Sequence, residues 1–320
     1  MLFRWLPDTM ARVMNRMSRM VVYLLCLGVF PALSPAADQA SPPPIDALRQ
    51  RADAGDPDAM VELAKAYFRG TGVPKDAEAS AKLLREAAAK GSGEAMDGLG
   101  FLYTKGEGVP LDEAKAVEWF QKGADAGWPK AQLHLGLMFR QAKGLPLNND
   151  ESLRWIHRAA DEGRLLEAKA ILGRLYFTGD KLMMPAAAKS LPYLKEAAAE
   201  GDPICQNMLG IAVRDGLDGP SDRDRAEEWF RKAALQNDRK AQSNLGHLLG
   251  IEVIDNPKRP EALKWILIAK DQGEHLAQKT FNELQDTFPG PMLAIAQKDA
   301  KAFAIQHAAK GKKAAATPAP

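Results

Sequence analysis

Hydrophobic residues recur along most of the chain in pairs of helix-length segments. In the most regular pair, Leu99, Gly100 and Tyr103 lie on one helical stripe, which a Gly-x-Gly-Val-Pro segment then interrupts. A second segment with helical spacing carries Trp119 and stops at Gly127. Spacings of three to four residues place side chains on one face of a helix. The pattern predicts a helix–turn–helix unit, which cannot bury its apolar faces alone and must stack on similar units.

The same unit occurs six times in one register. Its first helix carries a leucine followed by a small residue: Leu63-Ala64, Leu99-Gly100, Leu135-Gly136, Leu172-Gly173, Leu209-Gly210 and Leu245-Gly246. Its second helix repeats a bulky slot (Leu83, Trp119, Trp155, Tyr193, Trp229, Trp265) and a terminator (Gly91, Gly127, Gly163, Gly201, Asn237, Gly273). Successive copies of the Leu pair lie 36 or 37 residues apart. Three series in one register predict an all-α protein of six full repeats with terminal caps.

These residues resemble the Sel-one-like repeat (SLR), a branch of the tetratricopeptide superfamily. The resemblance rests on the Leu-Gly pair, a Tyr four residues later, the Gly-x-Gly-Val turn, and a Trp and small residues before a closing Gly. It covers residues 46–308. The resemblance implies a right-handed α-solenoid that holds protein partners, and it names no particular partner.

The regular pattern breaks at repeat four and at the two ends. Repeat four gains two residues and places Pro192 inside its second helix, which is therefore expected to begin late, near Ser190, or to kink. We expect altered curvature or a hinge there. Residues 45–54 are expected to cap the first repeat, and a partial seventh unit followed by a helix over residues 292–306 to cap the last.

Two slots of the repeat are predicted to lie in the core. The Trp series has helical spacing, which is typical of packed core residues and not of an aromatic cage for a ligand. Cys205 occupies a position that is Ala in the other repeats, so a buried thiol without a catalytic role is expected there.

Composition and charge exclude two classes of protein. Apolar residues make up 46% of the chain and charged residues 26%, as in a folded soluble protein and unlike a disordered one. The net charge is +2, but residues 1–36 hold four arginines and one aspartate, so the remainder carries 39 basic and 40 acidic residues. A chain of balanced charge lacks the basic surface that nucleic acid requires, and we expect no nucleic-acid partner.

The N-terminus has the organisation of a secretory signal. Three arginines precede an apolar run over residues 21–33, and Ser34 and Ala36 fit a cleavage site after Ala36. The run is shorter than the ~20 residues that span a bilayer as a helix. The chain is thus predicted to divide into a signal peptide (1–36), a Pro-rich linker (37–44), the repeat solenoid (45–308) and a disordered tail (309–320). Export to the periplasm or secretion follows; an uncleaved membrane anchor is the alternative, and only then is the membrane a partner.

No group of reactive side chains is recognisable, so no catalytic residue, cofactor or metal site is predicted. The five histidines have no metal-ligand spacing, and a single cysteine remains after residue 36, which excludes an internal disulfide. Met183 and Met184 are expected as loop or core residues. One SLR branch, rich in paired cysteines, is linked to β-lactam hydrolysis, and this chain lacks those pairs.

The remaining candidate site is a surface. In the stacks that this chain resembles, the first helices line the concave face, and positions two and five after the leucine point into it. These positions are Lys65, Phe68, Phe101, Thr104, Leu137, Arg140, Arg174, Phe177, Ile211, Arg214, His247 and Gly250. They include four cations, no acid and several apolar groups, which favours a partner segment with acids beside apolar anchors. A solvated face of chance composition is the alternative.

These observations favour an exported, non-enzymatic scaffold that binds an envelope or secreted protein through its concave face. Two other functions stay open at this level: a hydrolase acting on cell-wall peptide or a β-lactam, and a structural component of an export or motility assembly.

Overall fold

The computed structural model describes residues 45–316, with side chains up to residue 308. The predicted signal peptide and linker, and the side chains of the predicted tail, lie outside this description. The fifteen helices are α1 (Ile45–Asp53), α2 (Pro57–Arg69), α3 (Ala77–Ala89), α4 (Gly93–Lys105), α5 (Glu113–Asp125), α6 (Pro129–Gln141), α7 (Asn149–His157), α8 (Leu166–Thr178), α9 (Ala187–Ala199), α10 (Pro203–Arg214), α11 (Arg223–Leu235), α12 (Arg239–Leu248), α13 (Arg259–Asp271), α14 (His275–Leu284) and α15 (Gly290–Ala316). None of these helices is both long enough and apolar enough to cross a bilayer.

Six helix pairs, from α2/α3 to α12/α13, form the predicted repeats and confirm the all-α solenoid. The two helices of each pair pack on each other, and each second helix packs on the first helix of the next repeat. First helices of neighbouring repeats also contact each other directly, at α4/α6, α8/α10 and α10/α12. Within the described residues, second helices make no contacts of comparable extent with one another. The first helices therefore form the more closely spaced row of the array.

The glycine of the Leu-Gly pair marks the closest approach of the two helices in a repeat. A Cβ atom on Gly100 would lie 2.5 Å from the ring of Phe120. The same substitution at Gly210 would place a Cβ atom 2.7 Å from the ring of Phe230. Carbon atoms in favourable contact are about 3.5–4.0 Å apart. At these two positions the absence of a Cβ atom lets the phenylalanine of the second helix fill the space.

The core residue of the second helix lies one position after the predicted slot. Phe120 is 2% exposed, whereas its neighbour Trp119 and the corresponding Trp229 are half-buried. Trp155 and Trp265 are buried, so the prediction that the whole Trp series is core is wrong for two of its members. The reason is geometric: successive helical residues point about 100° apart, and the opening above the glycine faces the second of the two bulky positions.

The terminators of the second helices take the left-handed conformation that the sequence predicts. In five repeats the second residue after the helix has a φ between +72° and +103°: Gly91, Gly127, Gly201, Asn237 and Gly273. Repeat three differs, because α7 continues into a π-helical turn over Arg158–Glu162. Gly163 there has a φ of −76°, and the left-handed position moves to Arg164 with a φ of +50°.

Buried glutamines join the end of one repeat to the start of the next. The side-chain amides of Gln206 and Gln242 donate to Ala198 O at 3.0 Å and Ala234 O at 3.2 Å, in the last turn of the preceding second helix. Gln272 in turn donates to Gln242 Oε1 at 2.9 Å. These bonds satisfy carbonyl groups that a helix C-terminus leaves without an intrahelical partner.

The turns inside the repeats also stack. A Cβ atom on Gly108 would lie 2.0 Å from Ala77 O, and one on Gly144 would lie 2.4 Å from Glu113 O. Both glycines have a φ near +70°, at +68° and +70°. In repeats two and three, this glycine thus lets the turn rest on the beginning of the preceding repeat's second helix.

Repeat four accommodates its extra residues in an ordered turn. Asp180 N donates to Met183 O at 2.9 Å, which closes an isolated β-bridge, and the carboxylate of Asp180 pairs with Arg140 of repeat three. Helix α9 begins at Ala187, so the expectation of a late start near Ser190 is wrong and Pro192 lies inside the helix. The hinge at this repeat stays a prediction.

Helices cover both ends of the array. Helix α1 packs on α2, and α15 packs on α13, where the ring of Phe303 meets that of Trp265 edge-on at 5.4 Å. Arg259 is 1% exposed and donates to Ile251 O at 3.0 Å and to Thr287 Oγ1 at 2.6 Å, which ties the repeat-six turn to the C-terminal segment. Helix α15 extends past residue 306, where the sequence predicts its end, to Ala316.

The position of the core slot can be tested by substitution. We expect Phe120→Ala to lower the free energy of unfolding by about 3–5 kcal/mol, the range for emptying a buried aromatic site. Trp119→Ala in the same helix should cost clearly less, because its side chain is half-buried. Urea denaturation of both variants measures the difference, and a larger loss at Trp119 would contradict this assignment.

Candidate functional site

Eleven of the twelve predicted binding positions lie on first helices, and we call this set the first-helix face. Its members are Lys65, Phe68, Phe101, Thr104, Leu137, Arg140, Arg174, Phe177, Ile211, Arg214 and His247. The twelfth, Gly250, is buried beyond the end of α12 and does not belong to the face. Phe101 is 37% exposed and is the most accessible of the large apolar residues in this set; the others are half-buried.

An aromatic pair lies at the N-terminal end of the face. The rings of Phe68 in α2 and Phe101 in α4 meet edge to face, with 5.9 Å between their centroids. A lysine covers each ring: Lys75 Nζ lies 5.5 Å from the centroid of Phe68, and Lys105 Nζ lies 5.6 Å from that of Phe101. Phe68 also packs against the core of the first repeats, so the pair is held on a rigid base.

Farther along the array the apolar members of the face serve partly as core residues. Phe177 and Ile211 pack against the core of the C-terminal repeats, and Leu137 packs against that of the central repeats. Each keeps part of its surface accessible. These residues form an apolar surface along the first helices, and each of them is less exposed than Phe101 of the aromatic pair.

The cations of the face form ion pairs or hydrogen bonds within the protein. Lys65 Nζ lies 2.6 Å from Glu62 and 2.8 Å from Glu94. Arg140 pairs with Asp180 and donates to Asn149 Oδ1 at 2.8 Å.

The other polar members are also bonded. The guanidinium of Arg214 binds both carboxylate oxygens of Asp215, at 2.7 and 3.1 Å, and these bonds raise the pKa of Arg214. Arg174 Nε donates to Ala170 O at 3.1 Å. His247 lies 3.2 Å from Thr280 Oγ1.

This pairing alters what the sequence implies about charge. The face carries four cations and no acid. Three of these cations are nevertheless neutralised by Glu94, Asp180 and Asp215, which lie outside the second and fifth positions after the repeat leucine. Sequence reasoning missed them because two of the three come from another repeat's helix or turn. Reversing the charge of Arg140 would place a carboxylate against Asp180, so it would perturb the fold as well as any binding.

Polar pairs between neighbouring first helices form a second feature that the sequence did not reveal. His134 Nδ1 of α6 lies 2.6 Å from Asp97 Oδ1 of α4, and Asn244 of α12 donates to Asn207 of α10 at 2.8 Å. Both pairs occupy the same register positions of their repeats. Burial opposes protonation of His134, but the hydrogen bond and charge of Asp97 outweigh it and raise the pKa of the imidazole.

Four polar side chains meet at the junction of repeats three and four. His157 Nε2 lies 2.8 Å from the hydroxyl of Tyr176, and Nδ1 lies 3.0 Å from that of Tyr193, which donates to Asp161 at 3.2 Å. Burial and the charge of Asp161 raise the pKa of Tyr176, and raise that of Tyr193 to about 12. Both hydroxyls are therefore protonated near neutral pH. The hydrogen bonds of the cluster connect helices α7, α8 and α9.

A shallow cavity of about 490 Å³ adjoins this cluster on the second-helix side. It is lined by Arg154, Trp155, His157, Arg158, Asp161 and Glu162. Its arginines are engaged, Arg154 with Glu151 at 2.6 Å and Arg158 with Glu162 at 3.0 Å. The cavity thus presents balanced and already paired charges.

The one cysteine among the described residues is buried. Cys205 is fully buried, and burial raises the pKa of its thiol, so it is protonated and inaccessible at neutral pH. Among the described residues no three His, Cys, Asp or Glu side chains are placed to hold a metal ion.

Six stacked helix pairs, with partly exposed apolar side chains along the first helices, define an α-solenoid of the interaction-scaffold class. The model of the Sel1 repeat matches residues 57–92, 93–128, 129–163, 166–202, 203–238 and 239–274. The chain therefore belongs to the Sel1 repeat family, whose members are generally protein–protein interaction scaffolds.

One solved structure agrees with this assignment, and a second is similar over much of the chain. A Sel1 repeat protein from Oxalobacter formigenes is 27% identical, with a TM-score of 0.59 over 71% of this chain and 91% of that one. A protective antigen with an SLR fold from uropathogenic Escherichia coli is 24% identical, with a TM-score of 0.44 over 85% of this chain and 73% of that one. No curated protein sequence matches the chain.

The His134–Asp97 pair predicts a pH dependence of stability. The pKa of His134 is raised on folding above the usual value of about 6.5, so its stabilisation is fully present below about pH 6.5. The stabilisation is lost as the pH rises through the folded-state pKa. We expect the free energy of unfolding of the wild type, relative to His134→Gln, to fall as the pH rises above about 6.5. Parallel pH profiles for the two proteins would contradict a charged pair.

Proposed function

We propose that the protein is a non-enzymatic adaptor that binds another polypeptide through the first-helix face. The observation that carries this proposal is the row of first helices, which lie close together and present half-buried apolar side chains. Large apolar groups on a rigid base are the usual anchors of protein interfaces. The family's general role as an interaction scaffold supports the same conclusion.

Two side chains that could act as nucleophiles give the hydrolase alternative no support. The thiol of Cys205 is buried with a raised pKa, and the pKa of Tyr193 is about 12. An activated nucleophile requires the opposite, a lowered pKa or an adjacent base at an accessible position. The apolar first-helix face thus supports binding better than these two residues support hydrolysis.

Binding through the face can be tested by affinity capture from an envelope extract, followed by measurement of the captured partner's affinity. Phe177→Ala combined with Ile211→Ala removes two apolar groups from the face and should accelerate dissociation, because buried apolar anchors act mainly on the off-rate. Trp229→Ala is the matched control, since it removes a half-buried aromatic group from a second helix of the same region.

Thermal unfolding of both proteins establishes that each is folded at the assay temperature. Loss of binding in Trp229→Ala, with wild-type dissociation in the double variant, would assign the interface to the second helices and refute the proposal.

We also propose that the protein is exported and acts in the periplasm or outside the cell. The support is the arginine-flanked apolar run followed by Ser34 and Ala36. N-terminal sequencing of the protein recovered from its native envelope fraction should give Ala37 as the first residue. A chain of full length in the membrane fraction would instead identify an uncleaved anchor.

A further inference from the structure

We propose that the first-helix face captures its partner at the Phe68–Phe101 pair, through a segment that presents a large apolar side chain next to a carboxylate. This inference rests on the proposed function above. It adds a position at the N-terminal end of the array and a chemistry for the partner.

The apolar part of the inference rests on Phe101. Its side chain is 37% exposed, while the other large apolar members of the face are half-buried. Phe68 supports it edge to face at a centroid distance of 5.9 Å and is itself packed against the core. An accessible ring that is already held in place can bury a partner's side chain at little cost in conformational entropy. This is the property of an anchor residue in an interface.

The charged part of the inference rests on Lys105. Lys65 is neutralised by Glu62 and Glu94, and Lys75, over the ring of Phe68, pairs with Glu107 at 3.2 Å. Lys105 forms no ion pair within the part of the chain that the structure describes, and its ammonium lies 5.6 Å from the centroid of Phe101. One uncompensated positive charge therefore stands beside the most accessible ring.

The rest of the face does not combine an exposed ring with an unpaired cation. Arg174 forms no ion pair among the described residues, but its guanidinium donates to Ala170 O, and Phe177 of the same helix is half-buried. Arg140 and Arg214, which stand at the corresponding edge of repeats three and five, are already paired with Asp180 and Asp215. A carboxylate brought to either arginine would have to compete with one that the protein supplies. Complementarity of charge thus selects the end of the face at repeats one and two.

The experiment is a selection of phage-displayed random peptides on the full chain, followed by synthesis of the enriched peptides and measurement of their Kd by fluorescence anisotropy. We expect the enriched sequences to share Phe, Leu or Trp next to Asp or Glu. Phe101→Ser should weaken binding by about thirty-fold, as for an interface hot spot. Lys105→Glu should weaken it by about three-fold, as for an exposed ion pair, and replacing the peptide's acid with Lys should restore the affinity of that variant.

The chain provides a matched control on its other side. Lys122 Nζ lies 4.3 Å from the ring centroid of Trp119 in α5, a lysine–aromatic pair in the same repeat as Lys105 and Phe101 but on the second helix. Lys122→Glu should leave every Kd unchanged. The charge exchange between Lys105→Glu and the reversed peptide keeps the test informative even if Phe101→Ser impairs folding.

The outcomes separate this inference from the proposed function. Enriched peptides that lack acids, or that bind Phe101→Ser and Lys105→Glu as well as the wild type but lose affinity for the Phe177/Ile211 double variant, would overturn the position and leave the function standing. Peptides insensitive to all first-helix substitutions, or a library from which nothing binds, would overturn both.

Discussion

A side chain on Gly100 would overlap the ring of Phe120, and this close approach of the two helices in a repeat is the constraint on which the array depends. Because the first helix offers no Cβ atom there, the second helix can insert a bulky residue and bury it almost completely. The same contact recurs at Gly136, Gly173, Gly210 and Gly246. It fixes the rotation of the second helix, and this rotation leaves the preceding residue, Trp119, at the edge of the core.

Several polar groups of the solenoid are satisfied by neighbours one repeat away. Glutamines cap the preceding second helix, the Asp97–His134 and Asn207–Asn244 pairs join first helices, and Glu94 and Asp180 neutralise two cations of the first-helix face. Buried polar groups that found no partner would cost more than the bonds contribute, so this pairing is a condition of stacking. Three of the four cations of the first-helix face are therefore already paired with acids of the same chain, in spite of its basic composition.

The irregular features of the array lie together at the junction of repeats three and four. The π-helical turn, the left-handed Arg164 and the longer turn of repeat four all occur there. Two cross-links span the junction: the pairing of Arg140 with Asp180 and the cluster around His157. Apolar packing also continues across this junction, where Ile156 and Ala159 of repeat three share a core with Leu172 of repeat four. The two halves of the array are therefore joined by both a common core and these two polar cross-links.

The sequence by itself determined the number, register and class of the repeats, because the Leu-Gly pair and the glycine terminators each answer a local demand of helix packing or backbone conformation. It also determined that residues 37–320 form no internal disulfide, because they contain a single cysteine. Only the tertiary structure decided which of Trp119 and Phe120 fills the core, since that choice depends on the angle at which two helices meet. Likewise, only contacts between residues distant in the chain showed that Asp180 neutralises Arg140 whereas Lys105 keeps its charge uncompensated among the described residues.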